Sequence, residues 1–345
     1  VKKYYTYDDV FLIPQFTDLN SRSEASTKCK LFDLELNTPF ISANMDTITG
    51  PAMAEAMWHD EGGIGALHRF NSIKEACEDY THVIEAHAQC LVSIGVNKDF
   101  KERTLALHCA GARYFVVDIA HGHSEQMKKT LGWLKNKWND IHIIAGNVAT
   151  PKGVLDLARW GADIIKVGIG PGACCKTRIV TGHGIPQFSA VLECAEAARS
   201  RNVQIIADGG IRHSGDIVKA LAAGADFVMI GSLLAGTDET PGNIVTKTNG
   251  SVTERVKAYR GMASDAARES RELEYSYVPA AEGIQTLVLY KGPAKHILAQ
   301  LQKGLQSGMS YCNARELGEI NDAAIWDIQT QSGYSEGRPH ILDKK

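Results

Sequence analysis

Residues 167–184 read VGIGPGACCKTRIVTGHG: an apolar run, Gly168, Gly170 and Gly172 at alternate positions, the adjacent pair Cys174 and Cys175, then Lys176, Thr177 and Arg178. Glycines permit backbone conformations that side chains forbid, so this turn can aim amides and carbonyls into a shared space. A thiol held in such a turn can act as a nucleophile, because the thiolate attacks electrophilic carbon readily. As a dinucleotide fingerprint the stretch is weak. Gly168-x-Gly170-x-x-Ala173 matches the relaxed pattern, but Pro171 stands where a helix should start. The turn is better suited to fixing a cysteine, with the Gly170 and Gly172 carbonyls left to ligate a monovalent cation.

Two further loops, ADGGIRHSGD at 207–216 and IGSLLAG at 230–236, are also glycine-rich. Gly209, Gly210, Gly231 and Ser232 are natural phosphate donors. Asp208 would repel a phosphate, so a ribose diol is its sensible partner, the alternative being a helix cap. A phosphate at these loops and a thiol at the previous one suggest a nucleoside monophosphate whose base reaches the cysteine.

These residues need elements to hold them. TPFISANM, GGIGALHR, CLVSIGV, RYFVVDIAHG, IHIIAGNV, DIIKVGIG, VQIIADGG and DFVMIGS are short runs, apolar throughout, which suits parallel strands buried on both faces. Between them lie helix-patterned segments that end in Gly-Ala-Asp or Gly-Ala-Arg, and glycine there fits a helix C-cap. An open doubly wound sheet could be built from the same alternation. However, Asn44, Asp46, His68, Arg69, Asp118, His121, Asn147, Cys175, Asp208 and Ser232 all sit at or just past strand ends. A barrel gathers every strand end around one mouth, whereas an open sheet uses one switch point, so the pattern favours a (β/α)8 TIM barrel. After the eighth run, residues 236–289 are too polar for a core element and read as a long flap. PAKHILAQLQKGLQSG then closes the barrel, and in the C-terminal tail 318–345 the polar end QTQSGYSEGRPHILDKK, residues 329–345, reads as mobile or lying on a neighbouring subunit. The expectation is one domain over 1–345.

Composition bounds the function. The 345 residues are 44% hydrophobic and 22% charged, with a net charge of -3, which argues against nucleic-acid binding. The apolar runs fall short of membrane-span length and the N-terminus does not resemble a signal peptide, so the chain reads as soluble and cytoplasmic. Eight scattered cysteines without secretory features argue for free thiols rather than a disulfide framework.

GIGPGACCKTR, ADGGIR, YRGM, ANMDT and AGNV, in this order and spacing, resemble the IMP dehydrogenase and GMP reductase family over nearly the whole chain. The resemblance implies a (β/α)8 barrel and a loop of the form Gly-x-Gly-Pro-Gly-Ser-x-Cys-x-Thr. That pattern places the nucleophile at Cys175 and a catalytic hydroxyl at Thr177, with Cys174 as a packing residue. Two positions depart from it: Ala173 replaces the usual serine, and Ala263 the usual glycine or serine. Both branches of the family share a thioimidate between sulfur and purine C2. The dehydrogenase branch usually carries an Arg-Tyr pair in the flap to activate water, and no such pair occurs in 236–289; Arg113-Tyr114 instead opens the predicted fourth strand. The paired regulatory module of most dehydrogenases has no room between the second and third strands.

The resemblance to the reductase branch therefore implies reductive deamination of GMP with NADPH, with Thr177 and Glu282 relaying a proton. It also implies Gly261, Met262, Ala263 and Gly283 beside the guanine. Nicotinamide contacts would come from Asp118, Ile119, Ala120, Ile169 and Gly170, with Arg69 nearby. Ser21, Arg22, Tyr311, Cys312, Asn313 and Ala314 would serve the cofactor from a neighbouring subunit of a homotetramer, and K+ would bind at Gly170 and Gly172. Readings from other classes remain open: an IMP dehydrogenase without the module, a nucleotide sensor, or a Schiff-base lyase using Lys166 with a depressed pKa.

Overall fold

The computed structural model describes residues 1–60, 62–97, 99–250, 252–269 and 280–339. Eight strands, β1 (Phe40–Ser42), β2 (Ile64–Leu67), β3 (Cys90–Ile94), β4 (Tyr114–Asp118), β5 (His142–Val148), β6 (Ile164–Val167), β7 (Gln204–Asp208) and β8 (Phe227–Ile230), pair in sequence order. β8 also pairs in parallel with β1, which closes the barrel. Each of the eight apolar runs is one of these strands. β3 and β6 are buried at every position, as strands sandwiched between the barrel interior and outer helices must be.

The outer layer consists of α1 (Pro51–His59), α2 (Ile73–Glu85), α3 (Phe100–Cys109), α4 (Glu125–Lys137), α5 (Pro151–Arg159), α6 (Gln187–Arg199), α7 (Ser214–Ala222) and α8 (Ala294–Tyr311). Local chemistry sets their ends. Ser72 and Glu75 form a reciprocal capping box on α2, and Thr150 caps α5 ahead of Pro151. Gly111, Gly161 and Gly224, which follow α3, α5 and α7, have φ of 109°, 105° and 100°, the left-handed turn expected of the Gly-Ala-Asp and Gly-Ala-Arg endings. β2 and β3 are joined by α2, with no inserted module between them. Strands Cys29–Leu31 and Leu34–Leu36 form a hairpin over the N-terminal end of the barrel. At its tip Phe32 stacks on Tyr114 and His142, which open β4 and β5.

One expectation is corrected and another gains detail. The flap carries regular structure: β9 (Val245–Asn249), β10 (Val252–Arg260) and β11 (Gln285–Leu289) form an antiparallel sheet. Its residues 270–279 lie outside the described residues. The polar end, described to residue 339, packs back on its own chain, with Gln329 N donating to the Asp9 carbonyl at 2.9 Å. Trp326–Ile328 pairs with Val10–Leu12, and the Trp326 ring meets Phe188 edge-on at 4.6 Å. Non-local pairing supplies the hydrogen bonds that the short polar segment lacks locally. Among the described residues, no helix is long and apolar enough to cross a membrane.

Candidate active site

The strand ends converge on a cavity of about 420 Å³, within the range of small-ligand sites. Its lining includes the predicted Cys175, Thr177 and Glu282; Asp208, Gly209, Gly261, Met262, Ala263 and Gly283; and Arg69, Asp118, Ile119, Ala120, Ile169, Gly170 and Gly172.

Cys175 follows β6 and is half-buried, whereas Cys174 is 4% exposed. Burial pushes the Cys174 thiol up, with the Tyr259 hydroxyl beside it, so this sulfur belongs to the packing. Cys175 Sγ lies 3.1 Å from Thr177 Oγ1, which donates to Glu282 Oε2 at 2.8 Å. A hydroxyl has one proton to give and lone pairs to receive one, so thiol, hydroxyl and carboxylate form a directed relay. Glu282 comes from the flap, more than a hundred residues away, and backbone bonds bring it in. Lys176 N donates to the Glu282 carbonyl at 2.6 Å and Ile284 N to the Cys174 carbonyl at 3.0 Å. Glu282 N donates to the Ala263 carbonyl and Gly261 N to the Ile284 carbonyl, so the YRGM segment, the 282–284 segment and the cysteine loop are laced together.

The cavity floor is charged. Lys166, on β6 and 2% exposed, reaches Asp208 Oδ2 on β7 at 2.6 Å and Asp118 Oδ1 on β4 at 3.0 Å. Burial alone would lower the Lys166 pKa, but the two carboxylates outweigh it and the net shift is upward. Burial likewise pushes the Asp118 carboxyl up, and Lys166 and Arg69 more than offset it, so Asp118 is held below its ordinary value. The Schiff-base reading, which needed a depressed lysine pKa, is thereby overturned: the amine is locked as an ammonium. Asp208 Oδ2 also accepts from Asn147 Nδ2 at 2.9 Å. Both contacts fall on one oxygen, so Oδ1 remains for a ligand hydroxyl. On the flap side, Arg260 grips Asp46 with Nε at 3.2 and 3.1 Å and Nη2 at 2.6 Å.

Other predicted residues stand apart from this lining. Gly231 lies just behind it, where an added Cβ would sit 3.4 Å from Ala43 and 3.5 Å from the Tyr259 hydroxyl. A Cβ on Gly210 would meet Pro171 at 3.4 Å, and the Ser232 carbonyl accepts from Lys291. Ser21, Arg22, Tyr311 and Asn313 are at least partly exposed away from this lining, whereas Cys312 is 4% exposed and Ala314 fully buried, so those two are packing residues of their own chain and not the contacts expected for another copy. Gln15 N donates to the Tyr311 carbonyl, while Thr17 Oγ1 and Asp18 N donate to Asn313 Oδ1. Asn147, Lys166, Tyr259 and Arg268 also line the cavity and had been given no role in nucleotide binding. The one available signal was their position beside strand ends or beside YRGM. Among the described residues, no His, Cys, Asp and Glu group is arranged to hold a metal.

A closed parallel barrel with a thiol, a hydroxyl and a carboxylate in hydrogen-bond sequence, and glycine loops at one mouth, is an arrangement that can support covalent chemistry at sulfur. The IMP dehydrogenase / GMP reductase domain matches residues 4–340, and the chain belongs to that oxidoreductase family. It is 34% identical to inosine-5'-monophosphate dehydrogenase of Nitrosopumilus maritimus, over 98% of each chain, in an alignment of 475 residues that exceeds this chain's own length. It is 32% identical to GMP reductase of Leishmania major, over 98% of this chain and 97% of that one. It spans only 58% of the Chlorobaculum tepidum dehydrogenase, at 40% identity. A cysteine-to-alanine variant of Trypanosoma brucei GMP reductase, solved with guanosine 5'-monophosphate, superposes with a TM-score of 0.91 at 31% identity, covering 99% of this chain and 98% of that one.

Proposed function

We propose that this chain is a GMP reductase, converting GMP, with NADPH as reductant, to IMP and ammonia. The observation that carries the reading is the Cys175–Thr177–Glu282 relay, taken with a flap that lacks the Arg-Tyr pair of a water-activating dehydrogenase. The Cys175 proton passes through Thr177 to Glu282, and the thiolate attacks C2 of the guanine. As the C2–N bond breaks, Glu282 returns that proton through Thr177 to the departing amine, which leaves as ammonia. A thioimidate remains, and its formation balances without outside acid or base. Ile119, Ala120 and Ile169 would hold the NADPH nicotinamide, which would supply a hydride to C2 in place of sulfur, so that Cys175 leaves as the thiolate and IMP is released.

The substrate would be held by Gly209, Gly210, Gly231 and Ser232 at its phosphate and by Asp208 at its ribose. Gly261, Met262, Ala263 and Gly283 would flank the base. The chemistry of the wall fits a nicotinamide: Ile119, Ala120 and Ile169 are apolar and line the thiol cavity, with the Arg69 guanidinium beside them. Asp118 and Gly170 complete that set. Ser21, Arg22, Tyr311 and Asn313 would reach the cofactor of a neighbouring copy in a homotetramer. The Gly170 and Gly172 carbonyls would take K+; Gly172 O already accepts the Cys175 amide at 3.0 Å and keeps a second lone pair.

The alternative is an IMP dehydrogenase, favoured by the identity to such enzymes. Two assays divide the readings: GMP with NADPH, and IMP with NAD, each followed by the absorbance of reduced nicotinamide. Consumption of NADPH that depends on GMP supports the proposal. NADH formation from IMP, with no reaction of GMP, would replace it with the dehydrogenase.

A further inference from the structure

Lys257 is 2% exposed, in the middle of β10, at a depth where an ammonium ordinarily has a carboxylate partner. Its neighbours in the chain's fold include two acids, yet both are engaged elsewhere. Asp238 Oδ1 accepts from the Tyr290 hydroxyl at 2.7 Å, and Glu239 Oε2 caps α8 through Ala294 N at 2.8 Å. Lys257 Nζ instead donates to three backbone carbonyls: Thr237 at 3.0 Å, Asp238 at 3.4 Å and Thr240. An ammonium has three donors and no acceptor, so this ring of carbonyls uses its full capacity. Thr237 and Thr240 are themselves buried, in the segment that leaves β8.

A strand could be fixed here by an apolar side chain without burying a charge, but apolar packing has no direction. Three convergent carbonyls accept the ammonium in one place only. β10 needs that definition, because a slip of one residue reverses the face of every side chain on a strand. From Lys257 the strand runs to Tyr259 against Cys174, Arg260 on Asp46, Gly261 bonded to Ile284, and Ala263 bonded to Glu282 N. The register of β10 therefore sets where the Glu282 carboxylate stands relative to Thr177 and Cys175.

We infer that Lys257 is a positioning residue, an internal cation in a backbone carbonyl ring that fixes the flap sheet on the barrel and with it the proton relay. This use of the relay rests on the proposed reductase reaction, but the placement of the flap does not. The test uses K257A and the uncharged, similarly long K257M. Both should lower kcat about ten- to a hundredfold, the scale of an ångström-sized misplacement, while KM for GMP changes much less. Amide exchange at Gly261, Glu282 and Ile284 should quicken in both. In K257A, ethylammonium should re-enter the carbonyl ring, restoring both turnover and slow exchange, whereas tetramethylammonium, which has no donors, should restore neither.

Wild-type exchange and turnover in K257M would overturn the inference, as would a folded K257A that no primary ammonium restores. Should K257A fail to fold, K257M decides by the same two measurements. Should the wild-type chain not reduce GMP at all, the function reading fails while the exchange readout still decides the role of Lys257.

Discussion

At the scale of single residues, the two adjacent sulfurs are separated by what surrounds them. Cys174 is packed under Tyr259 and Cys175 faces the cavity beside Thr177. Cys175→Ala should abolish turnover, and Cys174→Ala should keep most of it; steady-state rates of the two variants check this, and the reverse order would refute the assignment. The doublet was legible because the loop pattern offered only one cysteine two residues before a threonine. Lys166 was not legible. Burial on a strand suggested a depressed amine, but Asp118 and Asp208 arrive from strands distant in sequence and reverse the sign. Removing this cation strands two carboxylates, so Lys166→Met should cost about 3–5 kcal/mol at neutral pH, measured by denaturant unfolding. The acid profile should also change. The depressed Asp118 carboxyl contributes stability that is complete above its unfolded pKa of about 3.9 and is lost as pH falls through the lower folded value. Without Lys166 the folded pKa of Asp118 rises relative to wild type, so Lys166→Met should recover stability relative to wild type on acidification. Parallel profiles would contradict the network.

At the scale of elements, the barrel strands were readable because burial on both faces leaves runs that are apolar throughout, such as FVMI, or nearly so, such as CLVSI. The flap sheet was not. Thr246, Lys247 and Thr248 of β9 and Thr253, Glu254 and Arg255 of β10 are polar or charged and exposed, and the pairing of Val256 with Leu289 crosses a stretch that gives no local sign of it. Trp326–Ile328 was hidden for the same reason, since its partner Val10–Leu12 lies at the other end of the chain. The flap is tied to the first barrel loop by Arg260 and Asp46, and the guanidinium also donates to the Ala266 carbonyl at 2.9 Å. A lysine keeps the charge but not the fork of donors. Arg260→Lys should therefore lower kcat/KM for GMP by about tenfold with little change in thermal unfolding, given a contact energy near 1.5–3 kcal/mol for a charge-assisted bond. Equal kinetics in the two proteins would mean that the pair does not position the flap.

At the scale of the whole molecule, the mouth of the barrel and the Ser21–Asn313 patch lie apart in one chain. Phe16 is 86% exposed and Tyr311 54% exposed at that patch, which suits contact with another copy. Sedimentation should show a tetramer, and Arg22→Ala should weaken NADPH without weakening GMP; an active monomer would remove these residues from the cofactor site. In the proposed reaction a covalent bond joins one sulfur to the purine. Mass spectrometry of protein quenched in acid during turnover of GMP and NADPH reads that bond directly. The predicted result is a nucleotide adduct on the peptide that carries Cys175, absent from Cys175→Ala. Turnover without any adduct, or an adduct on another residue, would contradict it.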